Sequence, residues 1–209
     1  MLKVGLTGSI AVGKSVVCSI LRDNGIHILD ADITAREVVE PNTEGLAKIV
    51  RAFGKGVLTV DGRLDRKKMA DIVFEDGQKR AELNAIVHPL VFKAQDNWIR
   101  ECERSDPHGV AVVDAALMIE SGGYKRFDKL IVVWCEPAIQ LQRLRLRDHL
   151  SEEEAKKRIA AQMSQEDKRR FADHQIDTSN GLEDTQRQTR ELAGRLRALA
   201  SNIDAEQSS

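Results

Sequence analysis

An α/β fold is predicted: a parallel five-stranded sheet flanked by helices, with an inserted helical lobe and a helical lid. Three observations predict it. Short apolar runs at residues 3–7, 26–30, 110–114, 130–134 and 174–177 are continuous rather than alternating, as suits strands covered on both faces. Most are followed by stretches of helical period, the pattern of a layered α/β protein. Between the second and third runs lie about eighty residues, too many for an ordinary crossover, and they too read as helices.

Each element has its own local signal. The first helix is expected to begin near Lys14 and to stop at Asn24-Gly25, a favoured helix end. The long insertion contains TAREVVE, TEGLAKIVRAF, DRKKMADIVF and the run on either side of His88-Pro89. After the fourth apolar run comes a second insertion rich in charge of both signs, in which Ser151 and Glu154 form a capping box. The last helix, from about Leu182 to Ala200, is expected to place Leu182, Leu192, Leu196 and Leu199 along one side, and the polar tail NIDAEQSS to fray. The expected organisation is one domain: a core of residues 1–33, 107–136 and 174–200, a helical lobe at 34–106 and a lid at 137–173.

Composition narrows the function. Lys+Arg is 32 and Asp+Glu 33 in 209 residues, a net charge of -1, so the basic excess of a protein that grips long nucleic acid is missing. No apolar run approaches the roughly 18 residues of a membrane span. The opening MLKVGLTGSIAVGKS does not read as a signal peptide, which gives the expectation of a cytoplasmic protein. Cys18, Cys102 and Cys135 are far apart and read as small buried hydrophobes, not as a metal site or disulfides. No obligate protein partner is evident.

Gly8-Ser-Ile-Ala-Val-Gly13-Lys14-Ser15 matches G-x-x-x-x-G-K-[ST] in full. The glycines let the backbone curl, so that amides from Gly8 through Ala11, Val12 and Gly13 to Val16 turn toward phosphate oxygens. The helix opening at Lys14 adds its positive end. Lys14 supplies a mobile charge for the outer phosphates, and the Ser15 hydroxyl can ligand Mg²⁺. The motif follows an apolar strand and opens a helix, as it must, so the fold class becomes P-loop NTPase-type and the nucleotide a triphosphate, taken as ATP. No N/T-K-x-D guanine reader is present, and Ser121-Gly122-Gly123 comes after the strand ending at Asp114, the wrong order for an ABC-type signature. Two helical insertions suit a small-molecule kinase, one for the acceptor and one as a lid.

The second apolar run ends Ile28-Leu29-Asp30-Ala31-Asp32. Were the strand to continue, Asp30 and Asp32 would face the same side, one to take the proton of an acceptor hydroxyl and the other to touch substrate or metal. The alternative is that one of them caps the next helix.

The order GLTGSIAVGKS, ILDADITAREVVEP, LNAIVHPLV, VVDAALMIES, QLQRLRLRD resembles the dephospho-coenzyme A kinase family over about residues 3 to 181. The resemblance implies ATP-dependent phosphorylation of the ribose 3′-hydroxyl of dephospho-coenzyme A, the last step of coenzyme A synthesis. It implies Asp32 as the catalytic base and Asp30, Arg36, Arg63, His88, Pro89, Leu117 and Glu120 as acceptor contacts. Arg143 and Arg147, four apart on one helix face, suit the charge of a transferring phosphoryl group, with Arg145 directed elsewhere. With Lys14 and Asp32, Arg143 completes the expected catalytic set. Asp114 could reach Mg²⁺ through water or serve a structural role, and Asn180, in the turn Thr178-Ser179-Asn180-Gly181, is expected near adenine by position. The sequence departs from the family pattern at Val16, where a second hydroxyl is usual, at Ala11 and Val12 in place of smaller residues, and at Ala116, where proline is common. A kinase for another small hydroxyl acceptor, such as a nucleoside, and a non-catalytic ATP-binding module are the other readings.

Overall fold

The structure, a computed structural model, describes residues 1–207. In chain order the elements begin with β1 (Leu2–Thr7), α1 (Lys14–Asp23), β2 (His27–Asp30), α2 (Ala31–Glu37), α3 (Glu44–Phe53), α4 (Arg66–Glu75) and α5 (Gly77–Ser105). They continue with β3 (Val110–Asp114), β4 (Lys129–Trp134), α6 (Pro137–Asp148), α7 (Glu152–Ala160), α8 (Gln165–Arg169), β5 (His174–Asp177) and α9 (Gly181–Gln207). Among the described residues the sheet has five strands in the order β2-β3-β1-β4-β5. β1 lies parallel to both β3 and β4, with Leu2 beside Val110 and Val4 beside Lys129, and β4 lies parallel to β5. Each of the five apolar runs is a strand, and β3 and β5 have the expected limits.

Two compact units make up the chain: Met1–Leu29 with Glu101–Ser209, and Asp30–Arg100. The division falls at Asp30, the cap of α2, and within α5, which runs unbroken across residue 100. The first unit holds the sheet. Its core joins Val4, Leu6, Val112, Ile131 and Val133 of the central strands to Val17 and Leu21 of α1 and to Leu192 and Leu196 of α9. Double-sided cover is confined to the centre. β3 is buried at every position, but the edge strand β2 is half-buried throughout and β5 is mixed.

One helix differs from expectation. In α9, Leu192 and Leu196 are fully buried but Leu182 is 58% exposed, because ten residues at 100° each turn it about 80° away from Leu192. The buried row at that end is completed by Thr185 and Thr189, whose hydroxyls donate to the carbonyls of Gly181 and Thr185. The helix also runs on to Gln207 through most of the stretch expected to fray; residues 208–209 of that tail lie outside the described residues. The capping box at Ser151 and Glu154 is present as read.

The second unit is helical. Val39, Ile49, Val57 and Met69 form its core, backed by Phe53, Leu83 and Ile86. Asp30, Thr43 and Asp65 cap α2, α3 and α4 in turn. His88-Pro89 sits inside the 29-residue α5.

The turn between β1 and α1 sets the site, and glycine is demanded there by two different causes. Gly13 has φ 90°, in the left-handed region. At Gly8 the cause is contact: a Cβ would meet the carbonyl oxygen of Val133 at 2.4 Å and Val12 Cγ2 at 2.9 Å. Gly8→Ala must therefore push the loop off β4. Overpacking of this kind costs about 1–3 kcal/mol, so chemical denaturation should show a loss in that range, and nucleotide affinity should fall with it.

Candidate active site

The first unit gathers a phosphate loop, a buried acidic strand end and two arginines. In the loop, Ala11 has φ 61° and Gly13 φ 90°, which curls the backbone between them. Val12 turns the other way: it is 1% exposed and belongs to the core. No side chain caps α1; the Val16 amide donates to the Gly13 carbonyl at 3.1 Å, which leaves the earlier amides of the turn for an anion.

Lys14 forms an ion pair with Asp114, whose other carboxylate oxygen accepts a hydrogen bond from the Cys18 thiol at 3.5 Å. Burial first, and then the Asp114 charge, push the Cys18 thiol up to about 12, so it stays a protonated donor. The Lys14 ammonium is thereby held at the mouth of the loop by a carboxylate from the adjoining strand.

A cavity of about 600 Å³ opens beside the loop. Ala11, Gly13 and Ser15 line one side of it. Val16, Leu146 and Leu182 give it apolar walls, and Arg143 and Arg147 both line it, as their four-residue spacing required. Arg143 donates to Thr178 Oγ1 at 2.8 Å and to the Thr178 carbonyl at 2.7 Å, and the Thr178 hydroxyl donates to the Val12 carbonyl at 2.7 Å. The arginine thus braces the loop as well as facing the cavity. Arg147 pairs with Asp148 at 2.7 Å, which raises its pKa, and Arg145 lies 3.8 Å from Glu152.

Three expected positions in this unit have other neighbours. Asn180 is exposed, its side chain hydrogen-bonded to Asp184, and the walls near it come from Thr178, Gly181, Leu182 and Thr185. Leu117 is 53% exposed, and Glu120 is paired with Lys168 at 2.9 Å.

The remaining expected residues belong to the second unit. Asp30 accepts from the amides of Asp32 at 2.8 Å and Ile33 at 3.1 Å, so it is the cap of α2. The extended backbone ends there, and Asp32 stands in the first helical turn, so the same-side argument for the two carboxylates does not hold. Asp32 is exposed, as is Arg36, whose carbonyl accepts from Arg66. Arg63 pairs with Glu40 at 2.6 Å. The His88 ring lies 6.0 Å from that of Phe92 one turn on, and Pro89 follows it within α5.

Sequence reasoning missed Leu146, Leu182 and Thr178 as cavity walls. For Leu146 a signal existed, an apolar residue between two arginines that no core required. Lys168 and its partners gave none.

The donors suit Mg²⁺ only as a minority share of its shell. Ser15 offers a hydroxyl at the loop and Asp114 a carboxylate beside Lys14, both hard oxygen ligands. Among the described residues no group of three or more His, Cys, Asp or Glu could form an all-protein cage. That fits a Mg²⁺ held mainly by phosphates and water.

A dephospho-CoA kinase family model matches residues 2–184. A dephospho-CoA kinase from Listeria innocua is 46% identical over 187 residues, covering 88% of this chain and 92% of that protein. A Thermus thermophilus protein of solved structure superposes with a TM-score of 0.77 at 31% identity, covering 93% of this chain and 97% of that one. The dephospho-CoA kinase from Campylobacter jejuni superposes with a TM-score of 0.62 at 26% identity, covering 93% and 96%. On these grounds the chain belongs to the dephospho-CoA kinase family.

Proposed function

We propose that this protein transfers the γ-phosphoryl group of ATP to the ribose 3′-hydroxyl of dephospho-coenzyme A, giving coenzyme A and ADP. The reading rests on the family match across residues 2–184, joined to a phosphate loop that opens onto an arginine-lined cavity of nucleotide size. Among the described residues no helix is long and apolar enough to cross a membrane, in keeping with soluble substrates and a cytoplasmic enzyme.

In the mechanism the loop amides and the N-terminus of α1 take the phosphates, with the base and sugar of ATP against Val16, Leu146 and Leu182. Lys14, held beside Asp114, reaches the outer phosphates. Asp30–Arg100 serves as the acceptor lobe and 137–173 as the lid. Arg36, Arg63, His88 and Pro89 of the lobe, with Leu117 and Glu120, bind dephospho-coenzyme A, and Asp30 holds the turn that carries Asp32. Asp32 accepts the proton as the 3′-oxygen forms its bond to the γ-phosphorus and the bond to the ADP oxygen breaks. Arg143 spends two of its five N–H groups on Thr178, which fixes its guanidinium against the developing charge. Ser15, with Asp114 through water, would hold Mg²⁺, which supplies charge neutralisation on the phosphates. Positioning and electrostatics carry most of the rate, since phosphoryl transfer asks little covalent chemistry of the protein.

A coupled assay tests the substrate. Mg·ATP consumption should rise sharply on adding dephospho-coenzyme A and stay low with nucleosides; a rise with a nucleoside instead would move the assignment to another acceptor, and slow hydrolysis indifferent to both would point to a non-catalytic module. Asp32→Asn should lower kcat by about 10²–10⁴-fold with ATP affinity unchanged, and kcat within a few-fold of the parent would remove Asp32 as the base. Ser15→Ala should raise the Mg²⁺ concentration needed for half-maximal turnover, which a magnesium titration at fixed ATP reads directly; an unchanged titration would remove Ser15 from the metal.

A further inference from the structure

Lys168 has the largest of the fully buried side chains, at 0% exposure. A buried ammonium is costly unless paired and hydrogen-bonded, and this one is both. It donates to the Ala116 carbonyl at 2.7 Å and pairs with Glu120 at 2.9 Å. Burial lowers its pKa, and the Glu120 carboxylate only partly opposes this.

What it joins is the more telling fact. The Ala116 carbonyl also accepts from the Thr7 hydroxyl at 3.1 Å, and Thr7 is the last residue before Gly8. Glu120 also accepts from the Met163 amide at 3.2 Å, and the Met163 carbonyl accepts from the Ser9 hydroxyl at 3.3 Å. The circuit therefore leaves the chain just before the phosphate loop, passes through the segment after β3 and the approach to α8, and returns inside the loop. Lys168 is its one cation and donates to both members of the segment after β3.

Resting on the kinase reading above, we infer that Lys168 is a positioning residue for phosphoryl transfer: it fixes the segment after β3 against both ends of the first turn of the phosphate loop. This accounts for Glu120 in a way the sequence did not suggest, as the anion that makes a buried lysine tolerable at this place. Lys168 need touch no substrate. Its effect is on where the loop amides and Asp114, two residues before Ala116, stand when the phosphoryl group moves.

The test is steady-state kinetics of Lys168→Met, which keeps the volume and removes the charge, at a temperature well below its own Tm. Misplacement of a reacting geometry by an ångström costs about 10²-fold, so kcat should fall about 10- to 100-fold with KM for ATP within threefold. A role confined to stability would lower Tm and leave kcat unmoved; kcat within threefold of the parent overturns the inference, whatever the Tm. Thr7→Val serves where Lys168→Met does not fold, because it removes only a hydroxyl from the same circuit. It should lower kcat by about 3- to 10-fold in the same pattern, and parent kcat in Thr7→Val then overturns the inference equally. The parent, run alongside, separates the two readings. Loss of acceptor-dependent turnover in the parent defeats the kinase assignment and takes this one with it, whereas a normal parent with a normal variant defeats the Lys168 inference alone.

Discussion

A backbone can offer its amides to an anion only if something else holds the backbone that carries them. This is the constraint from which the rest of the first unit follows. A loop that satisfied its own polar groups would have little to give a phosphate, and one that satisfied none would not keep its shape. Here the work is divided. The Val12 carbonyl is taken by Thr178, the Ile10 carbonyl by Gln140 at 2.8 Å, and the Ile10 amide by Gln162, also at 2.8 Å. Gln140 is in turn held by Gln165 at 2.7 Å, whose side-chain Oε1 accepts from the Cys135 amide. The groups that brace the loop thus come from α6, from the stretch between α7 and α8, from α8 and from the residue just after β5.

The same segments would have to move if 137–173 acts as a lid, and this links binding to closure. Gln162 touches the loop backbone directly, so displacement of its segment must either break that bond or pull Ile10 along. Arg143 is bound to the same logic from the other side, since it reaches the loop through Thr178. The two arginines of α6 that line the cavity accordingly have different duties. Arg143 is built into the brace, while Arg147 is paired with its neighbour Asp148, which is shared with Arg158 at 2.8 Å. An exposed pair of this kind is worth little and is easily exchanged for a phosphate oxygen, whereas the Thr178 contacts are part-buried and hydrogen-bonded on both atoms.

Much of this was legible in the residues. The five strands, the phosphate loop, the Ser151 capping box and the common face of Arg143 and Arg147 all depend on local pattern, and each stands where pattern put it. What pattern could not give was the consequence of tertiary position. β2 (HILD) and β5 (HQID) are less apolar than β3 (VAVVD), but a run of four residues does not by itself say that it is an outer strand. At Asp30 two local rules competed, strand alternation and helix capping. Capping won because the α2 amides at 32 and 33 would otherwise lack acceptors. Lys168 was illegible for a stronger reason: in QEDKRR it reads as one of a solvated charge run, and only the fold brings Ala116 and Glu120, about fifty residues earlier, to meet it.

Ala11 shows how firmly that bracing must hold. A non-glycine residue at φ 61° carries a cost of about 1–2 kcal/mol relative to the ordinary regions. The loop could shed that strain by letting Ala11 relax, but its neighbours are fixed on both sides, Ile10 by Gln140 and Gln162, and Val12 by the core and Thr178. To relax, the chain would have to give up at least one hydrogen bond to a part-buried or buried carbonyl, at about 1 kcal/mol or more, and withdraw a fully buried valine besides. The strained conformation is therefore the cheaper one. An alanine can stand in this left-handed conformation because the surroundings, and not the residue's own freedom, decide the turn.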